Sequence, residues 1–164
     1  MIHRWQLLSA LTGLLVPAVS AAPHMGAQTR GRVSLGVQTA YNFSDLNESA
    51  LGGHVLVALR SGFAVYGGVQ SYFVSPGNLW RTSATLQWAP RASTLASYFG
   101  VGPYWSRSSA PGVASQTDVG LVGQLGAEAR LRTLQPFVEL QLLKDGAVSA
   151  EAVAGFRIVL AGRR

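Results

Sequence analysis

The chain has 164 residues, of which 48% are hydrophobic and only 12% are charged, and it contains no cysteine. A soluble domain usually carries roughly twice that proportion of charge, and the missing cysteines exclude a disulfide framework, a thiolate metal site and a lipidated cysteine. The net charge of +6 reflects scarce acidic residues, and the arginines are spread singly along the chain, so a clustered cationic surface for nucleic acid is not expected.

Residues 1–22 have the pattern of a secretory signal peptide. A basic start and a short apolar stretch precede Val19-Ser20-Ala21, which fits the small-x-small rule for cleavage. The apolar stretch is shorter than the roughly twenty residues of a membrane-spanning helix, and Pro17 interrupts it. We therefore predict export with cleavage near residue 21 or 22, followed by a flexible lead-in at 23–31.

Residues 32–160 fall into eight segments in which apolar residues alternate with polar or small ones. Successive side chains of a strand point to opposite faces, so this alternation predicts strands with one apolar and one polar face. Turn sequences such as Ser61-Gly62 and Lys144-Asp145-Gly146 separate them. In chain order the predicted strands are Arg32–Phe43, Leu51–Arg60, Phe63–Val74, Leu79–Ala89, Leu95–Arg107, Asp118–Arg132, Leu134–Leu143 and Val148–Leu160.

The connections between these segments alternate in character. Those around Ser61, Ala92 and Thr133 are short, whereas those around Leu46 and Pro76 and the stretch 108–116 include the longest polar ones. Outer-membrane barrels have short periplasmic turns and longer external loops. Because the number of strands is even, both ends of a barrel would lie on the periplasmic side.

In the fourth segment, two tryptophans lie on the apolar face. Trp80 and Trp88 are eight residues apart, which at about 3.3 Å per residue and a tilt near 40° gives a separation of roughly 20 Å along the membrane normal. The lipid-facing band of a membrane barrel is roughly 25 Å tall and has aromatic rims. By the same alternation, Trp105 lies on the apolar face of the fifth segment. Pro103 in that segment indicates a bulge or a local kink. We predict that the three tryptophans form an aromatic girdle.

The sixth segment, residues 118–132, shows the two faces most clearly. Leu121 and Leu125 share one parity, whereas Glu128 and Arg130 share the other. A helical period would scatter the glycines and charges around the whole cylinder. Its length also exceeds the roughly nine to eleven residues with which a tilted strand crosses a bilayer. The segment therefore predicts a membrane-crossing strand.

The polar parity predicts an ionic interior. Charges buried singly in a narrow lumen would be costly, so they should pair or meet water. Eight strands enclose a space that side chains can just fill, so we predict a plugged lumen in preference to an open pore. The predicted interior ionic network consists of Arg60, Glu128, Arg130, Glu139, Glu151 and Arg157.

These features together resemble the OmpA/OmpX-like family of small outer-membrane barrels. The resemblance implies an all-β, eight-stranded antiparallel up-and-down transmembrane β-barrel after a cleaved signal peptide, spanning residues 32–160. It also implies placement in the outer membrane, with outer-membrane lipid and the barrel-assembly machinery as partners. Members usually end on an aromatic residue that this machinery recognises, whereas here Phe156 is the last aromatic and a basic tail follows at 161–164.

The expected role is non-enzymatic, either structural or in surface interaction, with any extracellular ligand bound through loops 44–50 and 108–116. Alternation also fits a soluble periplasmic lipocalin-like barrel with its apolar face turned inward around a ligand. The scarcity of charge on the polar face and the outward tryptophans favour the membrane.

Two further alternatives are a small pore and a barrel enzyme that acts on lipid. Such an enzyme would need a lipid-facing Ser-His-acid set. Beyond the signal peptide only His24 and His54 are available, and neither belongs to a His-x-Ser pair. The sequence predicts no catalytic, cofactor-binding or metal-ligating residue.

Overall fold

The computed structural model describes residues 32–44, 47–90, 94–131 and 133–160, which form eight antiparallel strands. The predicted signal peptide, lead-in and basic tail lie outside these residues. Among the described residues, no helix is long and apolar enough to cross a membrane. The strands are β1 (Val33–Asn42), β2 (Ser49–Ala58), β3 (Phe63–Tyr72), β4 (Asn78–Trp88), β5 (Leu95–Ser109), β6 (Gln116–Ala129), β7 (Leu134–Lys144) and β8 (Val148–Leu160).

The strands close into a barrel in which each strand pairs with the next and β8 pairs with β1. We call the end where β1 begins and β8 finishes the turn end; it carries the connections 59–62, 89–94 and 130–133. The opposite end, called the loop end, carries the connections 43–48, 73–77, 110–115 and 145–147. The predicted all-β, eight-stranded antiparallel fold is confirmed.

The two faces of the barrel differ as the alternation predicts. Outward-facing positions carry large apolar side chains that are widely exposed, such as Leu51, Val101 and Val138 at 58–60% of their surface. Inward-facing positions carry buried polar and charged side chains, including Gln70 and Arg157. A strand period of two residues produces this separation wherever the chain stays in register.

Seven of the eight strands end one to three residues from the predicted position, and the differences at β6 and β5 matter most for the interpretation. The sixth strand stops at Ala129. The Arg130 amide still donates across to the Thr94 carbonyl at 2.6 Å, but the Leu131 amide donates back to the Ala129 carbonyl at 3.0 Å. The chain therefore turns before residue 132. At the loop end β5 continues to Ser109 and β6 begins at Gln116, so the predicted loop 108–116 shortens to 110–115 and differs little in length from the connections at the turn end.

The β2–β3 connection is a tight turn, as the Ser61-Gly62 pair predicts. The Phe63 amide donates to the Arg60 carbonyl at 3.2 Å, and Ser61 and Gly62 have φ values of 59° and 81°. Two consecutive positive φ angles define the hairpin turn whose twist matches that of the flanking strands. The Gly62 carbonyl also accepts from the Ala89 amide at 2.9 Å, which fixes the turn against the end of β4.

Pro103 does not produce a bulge. Pairing of β4 with β5 is interrupted opposite Gly102 and Pro103, and the register is the same on both sides of the interruption. Proline has no amide to donate, so a gap in the ladder without a register shift is its expected effect. The strands approach each other so closely here that a Cβ added to Gly102 would lie 2.0 Å from the Ala84 carbonyl oxygen.

Replacing Gly102 with alanine should therefore destabilise the barrel. The new methyl group would meet backbone atoms of β4, and we expect a loss of about 1 to 3 kcal/mol in the free energy of unfolding. Urea unfolding of the protein folded in lipid vesicles measures this. Gly67→Ala is the control, since a Cβ at Gly67 meets nothing within 4 Å. Equal effects of the two substitutions would contradict the steric argument.

Candidate functional site in the barrel interior

The inward-facing polar residues form one cluster towards the loop end, built around Glu151 on β8. This side chain is fully buried, and its Oε2 accepts from Arg81 Nη2 at 2.5 Å and from the Tyr72 hydroxyl at 2.7 Å. Gln70 Nε2 donates to Glu151 Oε1 at 3.3 Å. Gln70 in turn accepts from Arg81 Nε at 3.1 Å and from Arg81 Nη2. The carboxylate thus meets one cation and two neutral donors from β3 and β4.

The guanidinium of Arg81 is also held by aromatic rings. Its Cζ lies 5.0 Å from the centre of the Tyr72 ring and 5.9 Å from that of Tyr104. The Tyr104 hydroxyl donates to Asp145 Oδ2 at 2.7 Å, which links the cluster to the β7–β8 connection. A cation over aromatic faces gains electrostatic attraction in addition to its ion pair.

A second cluster lies towards the turn end and is built around Glu128 on β6. Glu128 Oε2 accepts from Arg157 Nη1 at 2.5 Å, and its Oε1 accepts from Arg130 Nε at 2.6 Å. Arg157 is 1% exposed, and its guanidinium packs 4.6 Å from the centre of the Phe137 ring and 5.5 Å from that of Tyr98. One carboxylate is therefore shared by two arginines.

Glu139 joins this cluster indirectly. Its Oε2 accepts from the Tyr98 hydroxyl at 2.8 Å and its Oε1 accepts from Gln141 Nε2 at 2.6 Å. The same Tyr98 hydroxyl accepts from Arg157 Nη2 at 3.4 Å. The tyrosine thus connects the carboxylate to the cation without a direct ion pair.

Between the two clusters lies a layer of neutral polar side chains. Gln124 Oε1 accepts from the Thr85 hydroxyl at 2.6 Å, and the Tyr66 hydroxyl donates to Gln38 Oε1 at 3.0 Å. His54 stacks on Tyr66 with ring centres 5.2 Å apart. Neither ring nitrogen of the buried His54 has a hydrogen-bond partner.

Inward glycines make room for the aromatic rings. A Cβ at Gly126 would lie 2.5 Å from Cζ of Tyr98, and a Cβ at Gly120 would lie 2.6 Å from Cε1 of Tyr104. Each tyrosine therefore lies flat over a position without a side chain. This arrangement lets large rings fill a lumen as narrow as that of eight strands.

The structure corrects the predicted position of Arg60. This residue is exposed in the β2–β3 turn, since β2 ends at Ala58 and the parity count no longer applies beyond it. The interior cation that the prediction omitted is Arg81, which faces inward on β4. Its inward parity could be seen in the sequence, but its pairing with Glu151 depends on how the barrel closes.

The predicted girdle tryptophans all face outward. Trp80, near the loop end, is 51% exposed and Trp105 is 43% exposed. Trp88 is half-buried near the turn end, where it makes an edge contact with Phe99 at 5.2 Å between ring centres. The register places Phe63, Trp88 and Phe99 side by side on three adjacent strands.

The chemistry that the interior can offer is hydrogen bonding and charge pairing across the lumen. In the part of the chain that the structure describes, no group of three or more His, Cys, Asp or Glu residues could hold a metal ion. Arg81 and Glu151 come from β4 and β8, which are opposite each other in an eight-stranded ring. The interior side chains therefore connect opposite walls.

A closed antiparallel barrel with an apolar exterior and a polar interior is the construction of a transmembrane β-barrel. The resemblance to small eight-stranded outer-membrane barrels is confirmed at the level of the fold. No family model and no curated protein sequence matches the chain.

Solved structures with the same fold include three bacterial proteins. The N-terminal β-barrel domain of Pseudomonas aeruginosa OprF matches with a TM-score of 0.69 and 12% identity over 80% of this chain and 98% of that one. Neisserial surface protein A (NspA) matches with a TM-score of 0.63 and 17% identity, over 81% of this chain and 99% of that one. Ail, the attachment invasion locus protein of Yersinia pestis, matches with a TM-score of 0.60 and 14% identity, over 80% of this chain and 100% of that one. At these identities the likeness shows the fold alone.

Proposed function

We propose that the chain is a small, non-enzymatic outer-membrane barrel with a structural or surface-interaction role. The observation that carries this proposal is the belt of exposed apolar side chains around the whole outer wall, which includes Leu35, Val69, Leu125 and Ile158. A continuous apolar surface of this kind is unfavourable in water and suits a lipid environment. The even strand count and the fold of the outer-membrane neighbours support a turn end in the periplasm.

The same surface argues against a soluble lipocalin-like carrier. A carrier would hold its apolar side chains inside, around an apolar ligand. Here the inside contains Arg157 and Glu151, at 1% and 0% exposure, and most of the large apolar side chains are outside. An apolar ligand in this lumen would have to displace paired charges.

We further propose that the lumen is plugged. Hydrogen bonds between side chains span it at three levels. They join β3 and β4 to β8 in the cluster near the loop end, β4 to β6 in the middle layer, and β5 to β7 in the cluster near the turn end. The largest fully buried side chains, which include Arg157, Tyr66 and Glu151, lie inside it. Eight strands leave little space beyond what such side chains fill.

The absence of enzymatic activity is proposed from the position of His54, the one histidine among the described residues. It faces inward and packs against Tyr66 and Phe137. A lipid-modifying barrel would need its base on the lipid-facing side near a rim, within reach of a nucleophile. His54 is therefore a packing residue of the interior in this proposal.

Surface interaction would use the β5–β6 hairpin. Residues 116–120 of β6 pair with β5 but not with β7, so the hairpin projects beyond β7, and Val113 near its tip is 68% exposed. Ail has been solved in complex with the heparin analogue sucrose octasulfate. The loop end of this chain carries Glu48 and Asp145 besides Arg107 and Lys144, a mixed charge that favours a neutral or mixed-charge partner over a polyanion.

Fractionation of cells that express the whole chain tests the membrane proposal. We expect the protein in the outer-membrane fraction, and its mobility on a denaturing gel should shift on boiling, as a folded barrel resists the detergent until heated. Binding of an apolar ligand by a freely soluble periplasmic form would support the carrier instead and would overturn the proposal.

A further inference from the structure

Exposed charge is distributed unevenly between the two ends of the barrel. At the turn end, Arg32 and Arg60 are exposed and Arg130 is partly exposed. Within the described residues no exposed carboxylate accompanies them, because Glu128 is buried between two arginines. The exposed and half-buried acids, Glu48, Asp118 and Asp145, all lie at the loop end.

The fold places two of these arginines close together. The Arg32 carbonyl accepts from the Ala58 amide at 2.9 Å, so Arg32 lies beside the end of β2, two residues from Arg60. Arg60 is held in the tight turn that Gly62 fixes against Ala89. In sequence, the connections 89–94 and 130–133 at this end contain one and two arginines, respectively, and no acid.

The aromatic row beside this turn places the arginines at the depth of lipid headgroups. Phe63, Trp88 and Phe99 face outward on adjacent strands, and the first of them directly follows the turn that contains Arg60. In transmembrane β-barrels, girdles of aromatic residues flank the apolar band at both membrane interfaces. Cations just beyond that boundary lie level with lipid phosphates, which attract them.

We infer that Arg32 and Arg60 form a binding surface for anionic phospholipid headgroups in the leaflet that surrounds the turn end. The inference depends on the proposed function, since it requires the barrel to lie in a bilayer. Guanidinium groups form paired hydrogen bonds with phosphate oxygens. The surface would select phosphatidylglycerol-type lipids over zwitterionic ones and would help to fix the depth and orientation of the barrel.

The test measures lipid selectivity of the whole folded chain in phosphatidylcholine vesicles that contain a small proportion of spin-labelled phosphatidylglycerol or spin-labelled phosphatidylcholine. For the wild type we expect the anionic label to associate with the barrel about three times as strongly as the zwitterionic label. In the Arg32→Gln/Arg60→Gln variant this ratio should fall to about one. About 0.5 M salt should also weaken the preference, because it screens exposed charges.

The matched control is Arg107→Gln/Lys144→Gln, which removes the same charge at the loop end and should keep the preference. An equal loss in the control, or no preference in the wild type, would overturn the inference and leave the barrel proposal intact. A chain that does not insert into vesicles, judged by the absence of a heat-dependent gel shift, would contradict both proposals. Sedimentation with purified peptidoglycan that depends on Arg32 and Arg60, without lipid selectivity, would assign the surface to cell-wall carboxylates and overturn the lipid proposal.

Discussion

Replacing Arg81 with alanine should lower the free energy of unfolding of the barrel by about 3 to 5 kcal/mol, the cost of leaving a buried charge without its ionic partner. Glu151 is 0% exposed and its ion pair is with Arg81. After the substitution its carboxylate would retain the neutral donors Tyr72 and Gln70. Two neutral donors do not offset a full buried charge, since bonds to ionised partners are roughly twice as strong as neutral ones.

Urea unfolding in lipid vesicles, followed by tryptophan fluorescence, gives this free energy. Arg107→Ala is the matched control, because Arg107 is an exposed arginine on the neighbouring strand and its loss should change stability by no more than about 0.5 kcal/mol. A double variant with apolar residues at both positions, Arg81→Met/Glu151→Leu, should cost less than Arg81→Ala alone, since no charge is left unpaired. Equal effects of Arg81→Ala and Arg107→Ala would contradict the central role given to this pair.

The strand pattern could be predicted from the sequence because side-chain direction in a strand depends only on parity. Val122 and Gln124 share an inward parity with Glu128, and all three are buried. The prediction is wrong where the chain leaves the strand, as at Arg60, because β2 has already ended at Ala58 and the alternation no longer sets the direction of the side chain. Parity has no meaning in a turn, so residues at strand ends are the least predictable.

The partners inside the lumen could not be predicted in the same way. Arg81 and Glu151 are 70 residues apart in sequence, and only the closure of β8 onto β1 brings their strands face to face. Alternation contains no information about the shear of the barrel, which decides which inward residues lie at one level. The sequence does not indicate the inward positions of Phe137 and Leu143 either, because they are apolar residues on the face that is otherwise polar.

Removing Glu128 should raise the conductance of the barrel in planar lipid bilayers. Its carboxylate holds Arg157 and Arg130 together across the turn-end half of the lumen. Without it, the two guanidinium groups repel each other and can turn towards water. We therefore expect small or no current steps for the wild type and larger steps for Glu128→Ala, with a smaller rise for Arg130→Ala, because Arg157 would still pair with Glu128. Glu48→Ala, which removes a carboxylate in the β1–β2 connection at the loop end, should leave the current unchanged.

The size of the effect depends on the second cluster, because two constrictions in one channel act in series. With the cluster around Glu151 still in place, the narrower barrier limits ion flow and a single substitution opens the path only in part. Combining Glu128→Ala with Glu151→Gln should raise the conductance by more than the two separate increases together. Heat-dependent gel mobility confirms that each variant is folded before its current is recorded. A wild type that already conducts as much as the combined variant would show an open pore, and the interior side chains would then line a water path instead of blocking it.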